Sequence, residues 1–250
     1  MGTMLANAVN DYTVFDLETT GFSSHTDHIV EVGAVRVRGG FVVSTYSSLM
    51  SVKHNAGEPW NHIPDEFLTH APGHAEVLSE FTYFLGDDIL IGHNIHDFDL
   101  PFLNNKLRET IAIVQSFGAE VDMPMEIEND YVDTLILARN LLPDLPHHRL
   151  ADLAEHYNIE VTTQHRALAD CLTTFKVYEK LKEGPGAIQY CPECNRGFVV
   201  LKHRETDTEI RAQTGTKVRY WACTSCDWTH EILNQKGTIR EMMGEIKQIL

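Results

Sequence analysis

The chain has 250 residues, with 36 Asp and Glu against 20 Lys and Arg, a formal net charge of −16 and 43% hydrophobic residues. That length and composition fit a soluble globular protein with one larger domain and room for a small second one. They exclude a membrane helix, because no apolar run approaches the roughly 18 residues one needs. The opening "MGTMLANAVN" carries no basic patch ahead of an apolar stretch, so a cytoplasmic protein without a secretory signal is expected. The acidity is uneven: residues 1–186 hold 11 Lys and Arg against 28 Asp and Glu, residues 187–250 hold 9 against 8. An acidic first part suits the collection of cations, and the near-neutral second part is better able to approach a polyanion.

In chain order, Tyr12–Leu17 and Ile29–Val37 ("IVEVGAVRV") read as strands, and Gly39-Gly40 turns into a third, Phe41–Val52. Residues 53–74, rich in His, Pro, Asn and Gly, read as a loop crossed by a short helix. Glu76–Leu85 has the apolar spacing of one helix face, and "ILIGHN" from Ile89 is a continuous apolar strand of the kind covered on both sides. A helix with Phe98, Phe102, Leu103 and Leu107 on one side follows, then an acidic loop over 115–130. "VDTLILARNLL" and "RLADLAEHYNI" predict two more helices, and Leu168, Leu172, Phe175, Tyr178 and Leu181 predict the last one before the linker "GPG" at Gly184–Gly186. Strands followed by alternating helices and a buried strand indicate an α/β domain with a mixed sheet. The expected division is 1–184 for this domain, 187–235 for a small cysteine module and 236–250 for an amphipathic C-terminal helix ("TIREMMGEIKQIL").

The stretch "VFDLETTG" sets Asp16 and Glu18 two apart on a strand, and therefore on one face. Two such anions repel unless a cation sits between them. Asp99 at the start of a helix and Asp170 in the last helix are placed to converge on the same sheet edge. Four carboxylates can hold two divalent ions of the oxygen-preferring type, Mg²⁺ or Mn²⁺, a pair suited to in-line attack of water on a phosphodiester.

"VFDLETTG", "GHNIHDFDLPFL" and "HRALADC" stand in the order and approximate spacing of the three motifs of the DEDDh (DnaQ-like) 3′–5′ exonucleases, and the chain resembles that family over roughly residues 10–182. The resemblance implies an RNase H-like mixed sheet flanked by helices and a substrate with a free 3′ end. It also implies that Asp16, Glu18, Asp99 and Asp170 are the metal-binding acids and that His165 is the general base, a task suited to an imidazole of pKa about 6.5. Thr19, Thr20 and Gly21 match the turn that packs around the terminal nucleotide, and His93 and Asn94 open the second motif. The chain departs from the pattern in having three residues between Asn94 and Phe98 where the family commonly has two. Either the turn is longer by one, or Asp97 takes the metal position; the helix register starting at Phe98 favours Asp99.

Cys191 and Cys194 ("CPEC") and Cys223 and Cys226 ("CTSC") are two C-x-x-C pairs separated by 28 residues, able to offer four thiolates to one structural Zn²⁺. Strand-like "GFVVLKHRE" and "KVRYWAC" between them resemble a zinc ribbon. Its basic residues with Tyr220, Trp221 and Trp228 either contact nucleic acid or leave the aromatics to fill a small core. The ribbon or the C-terminal helix is a candidate protein-binding surface, and Cys171 is expected to pack as a small apolar residue. Single-stranded DNA is the expected substrate, with proofreading, repair and trimming of CRISPR spacer precursors as open pathways. An RNA-trimming enzyme and an inactive nucleic-acid-binding scaffold remain alternatives.

Overall fold

The computed structural model describes residues 2–6, 8–142, 144–161, 166–183, 191, 193–194, 199–204, 218–223 and 225–232. His165, the linker at 184–186 and the expected C-terminal helix lie outside the described residues.

Three antiparallel strands, β1 (Tyr12–Thr19), β2 (Ile29–Arg38) and β3 (Phe41–Leu49), form the expected meander. The short strands β4 (Leu90–Gly92) and β5 (Tyr131–Asp133) add in parallel, giving a mixed five-stranded sheet of order β3-β2-β1-β4-β5. β1 sits centrally, so both its faces are covered and its residues are almost all buried. β5 corrects the reading of "VDTLILARNLL" as helix throughout. Tyr131 and Val132 pair with Leu90 and Ile91, and Asp133 then caps α5 (Thr134–Leu141), accepting from the Leu135 and Ile136 amides. A three-residue strand has too short a pattern to announce itself; its neighbour decides it.

Period-two alternation assigns the layers. Phe15 and Leu17 face α3 (His74–Leu85) and α4 (Asp99–Ser116), joining one apolar cluster with Phe81, Leu85, Phe102 and Leu107. Tyr12 and Val14, with Val35 and Val37 opposite them, face α7 (Ala167–Glu183) and cluster with Cys171 and Tyr178. Tyr12 and Tyr178 meet edge to face with centroids 5.1 Å apart. The 53–74 region contains two single-turn helices, α1 (Glu58–Asn61) and α2 (Asp65–Leu68), and α6 (Leu150–His156) packs beside α7.

Tyr178 and Leu181 of α7 are buried as expected, but the first half of its inner stripe is rotated by about one residue from the expected one. Ala167, Cys171, Thr174 and Tyr178 are buried, whereas Leu168, Leu172 and Phe175 flank them. Small residues on the inner stripe let the helix lie close to β2, where a Cβ on Gly33 would come within 2.5 Å of the Ala167 and Leu168 backbone. Cys171 fills the seam, its Sγ 3.2 Å from the Gly33 carbonyl oxygen.

The cysteine module is a three-stranded antiparallel sheet, β6 (Val199–Arg204), β7 (Val218–Cys223) and β8 (Thr229–Ile232), of which β8 goes beyond the two strands read from sequence. The N-terminal segment joins it to the larger sheet. Met4 bridges Tyr131, the Leu5 amide donates to the Tyr131 carbonyl at 2.7 Å, and the Ala6 amide donates to the Val199 carbonyl at 3.0 Å. Trp221 is buried in the apolar cluster that includes Met4 and Ala6, so this aromatic fills a core.

Candidate active site

The face of the sheet that meets α7 changes character along β1 and β2. Its cross-strand pairs run Tyr12–Val37, Val14–Val35, Asp16–Gly33 and Glu18–Glu31, apolar at one end and acidic at the other. Gly33 sits where the change occurs, and the close approach it permits brings Asp170, in the first turn of α7, down to the acids of β1. Ligand oxygens of Asp16, Glu18 and Asp170 all lie within 4.8 Å of one another.

Asp99 enters from α4 on the opposite side of β1, buried, its Oδ1 accepting from the Leu17 amide at 3.2 Å. The extra residue of the second motif is absorbed by a turn closed by the Phe98 amide on the Asn94 carbonyl, with Asn94 at φ +67°. Asp97 points outward with 67% of its side chain exposed.

Burial and mutual repulsion set the electrostatics. Desolvation, with Asp99, Glu18 and Asp170 adding repulsion, pushes Asp16 well above the usual carboxylate range. Glu18 is pushed up to about 8 by burial and by Asp170, Glu31 and Asp99, and burial lifts Asp99 to about 7 against the opposing Leu17 hydrogen bond. A divalent cation would remove both causes by supplying charge and oxygen coordination, so the donor set fits Mg²⁺ or Mn²⁺.

Sequence reasoning missed the clamp beneath the site. Glu31, buried in β2, takes the Arg166 guanidinium in a fork at 2.8–3.2 Å and also accepts from the Ala167 amide at 3.1 Å. It therefore holds the start of α7 and places one positive charge beside Glu18, drawing Glu18 downward against its acidic neighbours. The signal was present in "IVEVGAVRV", where a lone Glu interrupts an apolar strand.

Thr19 and Thr20 are buried and internally bonded. The Thr19 hydroxyl donates to the Gly21 carbonyl at 2.6 Å, and the Thr20 hydroxyl accepts from the His28 amide at 2.9 Å. Asn61, anchored with Asn55 in the 53–74 loop, donates to the Thr19 carbonyl at 3.1 Å. Beyond Gly21, Phe22 stacks on Trp60 with centroids 6.0 Å apart; they are 81% and 42% exposed. His93 Nδ1 lies 3.0 Å from the Thr134 hydroxyl, and the Asn94 amide donates to Asp133 at 3.1 Å.

In the ribbon the four cysteine sulfurs come within 4.8 Å of one another, with Cys191–Cys226 at 3.7 Å and Cys194–Cys223 at 3.6 Å. A tetrahedral zinc with Zn–S bonds of about 2.3 Å requires S···S edges of about 3.8 Å, so this donor set fits a closed Cys₄ site.

An RNase H-like mixed sheet with acids gathered where β1, α4 and α7 meet defines the class of DnaQ-like 3′–5′ exonucleases. The family model described as Exonuclease (RNase_T) matches residues 13–178, and the chain belongs to this family. It is 37% identical over 179 residues to the PolC-type DNA polymerase III of Oceanobacillus iheyensis, covering 69% of this chain and 12% of that protein. The PolC-type DNA polymerase III of Bacillus subtilis is 33% identical over 192 residues, covering 75% of this chain and again 12% of the relative. The chain thus spans about an eighth of the length of these relatives. Among solved structures, exonuclease X in complex with 5′ overhanging duplex DNA aligns with a TM-score of 0.52 at 22% identity, covering 69% of this chain and 91% of that one. Exonuclease I of E. coli in complex with a dT13 oligonucleotide aligns with a TM-score of 0.60 at 14% identity, covering 96% and 71%. At these identities the structural likeness speaks for the fold.

Proposed function

We propose that the chain removes nucleotides from the 3′ end of single-stranded DNA, with Asp16, Glu18, Asp99 and Asp170 holding two Mg²⁺ or Mn²⁺ ions and His165 as general base. The observation that carries this reading is the convergence of Asp16, Glu18 and Asp170 within 4.8 Å in a setting that raises the pKa values of Asp16 and Glu18. When bound, the ions supply charge neutralisation at the scissile phosphate and lower the pKa of the attacking water.

The protein's own groups supply the rest. Asp16 and Glu18 project from a rigid central strand, so their positions survive substrate binding. Glu31 and Arg166 fix the first turn of α7 and with it Asp170, and His165 immediately precedes Arg166 in the chain. His165 takes the proton from the attacking water as its oxygen moves onto phosphorus and the 3′ oxygen of the next nucleotide leaves. The exposed Phe22–Trp60 stack beside the Thr19–Gly21 turn gives an unpaired base a flat apolar face, which favours a single strand.

DNA is preferred over RNA because the PolC-type relatives are DNA polymerases, and a proofreading or repair setting follows from the same likeness. The four cysteines hold one structural zinc, and the ribbon or the C-terminal helix is the surface offered to a protein partner. The test is a time course with 5′-labelled and 3′-labelled single-stranded DNA and RNA, with Mg²⁺, Mn²⁺ or chelator, for the unaltered chain and Asp16→Ala. Metal-dependent stepwise shortening from the 3′ end, faster on DNA and lost in the variant, is expected. Binding without cleavage would instead make the chain a scaffold.

A further inference from the structure

We propose that the cavity between α5 and α6 receives a phosphodiester of the substrate strand upstream of the bond being cut. The inference rests on the exonuclease reading and extends its site. The cavity, of about 600 Å³, is lined by His93, Asn94, Arg139, His147, His148 and Arg149, among others. In a domain where carboxylates outnumber cations by more than two to one, this wall brings together two guanidinium groups and three imidazoles.

The cationic groups differ in how far they are committed. Arg149 is forked onto Asp152, Nε and Nη2 each at 2.8 Å, which holds its plane still. Arg139, in the last turn of α5, is exposed and has no ion-pair partner among the described residues. A permanently charged planar donor fork left open at a cavity mouth is suited to paired phosphate oxygens. His148 Nε2 is 2.9 Å from the Leu142 carbonyl, and His93 joins Thr134 to the His148 backbone. Burial pulls His93 down to about 4, so this ring is neutral and serves to hold the 147–149 turn.

The location makes the ligand a part of the substrate strand. His93 and Asn94 directly follow β4, the neighbour of the β1 strand that carries Asp16 and Glu18, and the Asn94 amide is bonded to Asp133 at the end of β5. One edge of the cavity, His93 and Asn94, thus begins the turn that the Phe98 amide closes on the Asn94 carbonyl and that leads directly to Asp99. A strand whose 3′ end lies at Asp16 has phosphates to offer there, whereas a single nucleotide has none beyond the one being cut.

The experiment uses the full chain with Arg139→Ala and Arg139→Glu on two substrates. One is the p-nitrophenyl ester of thymidine 5′-monophosphate, which has a single phosphate. The other is 5′-labelled oligothymidylate, unmodified or with one neutral methylphosphonate at the second, third or fourth linkage from the 3′ end. Arg139→Ala is expected to raise KM on the unmodified oligonucleotide about tenfold, with the loss absent on the ester. One methylphosphonate position should weaken the unaltered chain and leave Arg139→Ala indifferent, which identifies the phosphate held. Equal losses on ester and oligonucleotide, or no change in KM with either variant, would overturn the inference. So would a variant that alters only inhibition by free thymidine monophosphate, since the cavity would then hold product. If the unaltered chain cuts neither substrate, the exonuclease reading fails by itself. Oligothymidylate affinity by fluorescence anisotropy then decides, and equal binding by Arg139→Glu and the unaltered chain refutes the cavity's role.

Discussion

Asp16, Glu18 and Asp170 bring like charges within 4.8 Å from opposite ends of the larger domain, whereas Cys191, Cys194, Cys223 and Cys226 reach the same spacing as two C-x-x-C pairs. The acids are forced together by strands and a helix that pack for other reasons, and their raised pKa values record the cost. The thiols form a small closed set whose donor types and spacing fit one zinc, which would hold a short sheet together. In the first region the fold stabilises an unfavourable charge cluster that is suited to a cation; in the second the cation is expected to stabilise the fold. A site of the first kind keeps positions open for a substrate, and a complete Cys₄ shell leaves none.

This contrast can be broken most directly at Asp16. Asp16→Asn should lower turnover on single-stranded DNA by about 10³-fold, some 4 kcal/mol of barrier. Its melting temperature in chelator should equal or exceed that of the unaltered chain, because a repelling charge is gone; a large loss of stability would mean that the cluster is structural. Gly33→Val attacks the packing that assembles the acids. The added atoms have only α7 backbone to move, so urea unfolding should show a loss of about 3 kcal/mol, and turnover should fall with it.

Cys194→Ser tests the other region. Zinc content should fall by one per chain and the ribbon should melt earlier, with hydrolysis of the mononucleotide ester retained; parallel loss of ester hydrolysis would show that the two regions are one unit. Arg166→Met sharpens the first region, since it unpairs the buried Glu31 and loosens α7. Turnover should drop about tenfold, in kcat more than in KM.

The smallest expected effect is in pH dependence. Glu18 and Asp99 titrate at about 8 and about 7 when folded, above their ordinary values of 4.5 and 3.8, so the folded metal-free chain holds protons that the unfolded chain releases. Their contribution to stability is complete below about pH 4 and is lost as pH rises through 7 and 8. Differential scanning fluorimetry in chelator should therefore show the melting temperature falling across that window. Glu18→Gln should flatten the upper part, and Mg²⁺ should restore most at the alkaline end.

Much of this was legible in the residues. The D-x-E pair on an apolar strand, the ordered motifs and the paired C-x-x-C units each carry a local pattern whose period or spacing is the signal. The meander and the long helices were visible because eight or more residues repeat one period, and the buried strand after Ile89 because its run is continuously apolar. What escaped was short or relational. β5 has three residues, β8 four, and the N-terminal segment joins Tyr131 and Val199 through backbone hydrogen bonds that no side-chain pattern encodes.

The sequence by itself determined which chemistries this protein carries, because carboxylate, imidazole and thiol types at set spacings are covalent facts. Only the tertiary structure decided that Gly33 and the small inner stripe of α7 let Asp170 descend to Asp16 and Glu18. It alone decided that Glu31 and Arg166 lock that approach, and that Trp221 is spent in a core. Those outcomes depend on distances between segments more than a hundred residues apart, which packing sets and local pattern does not.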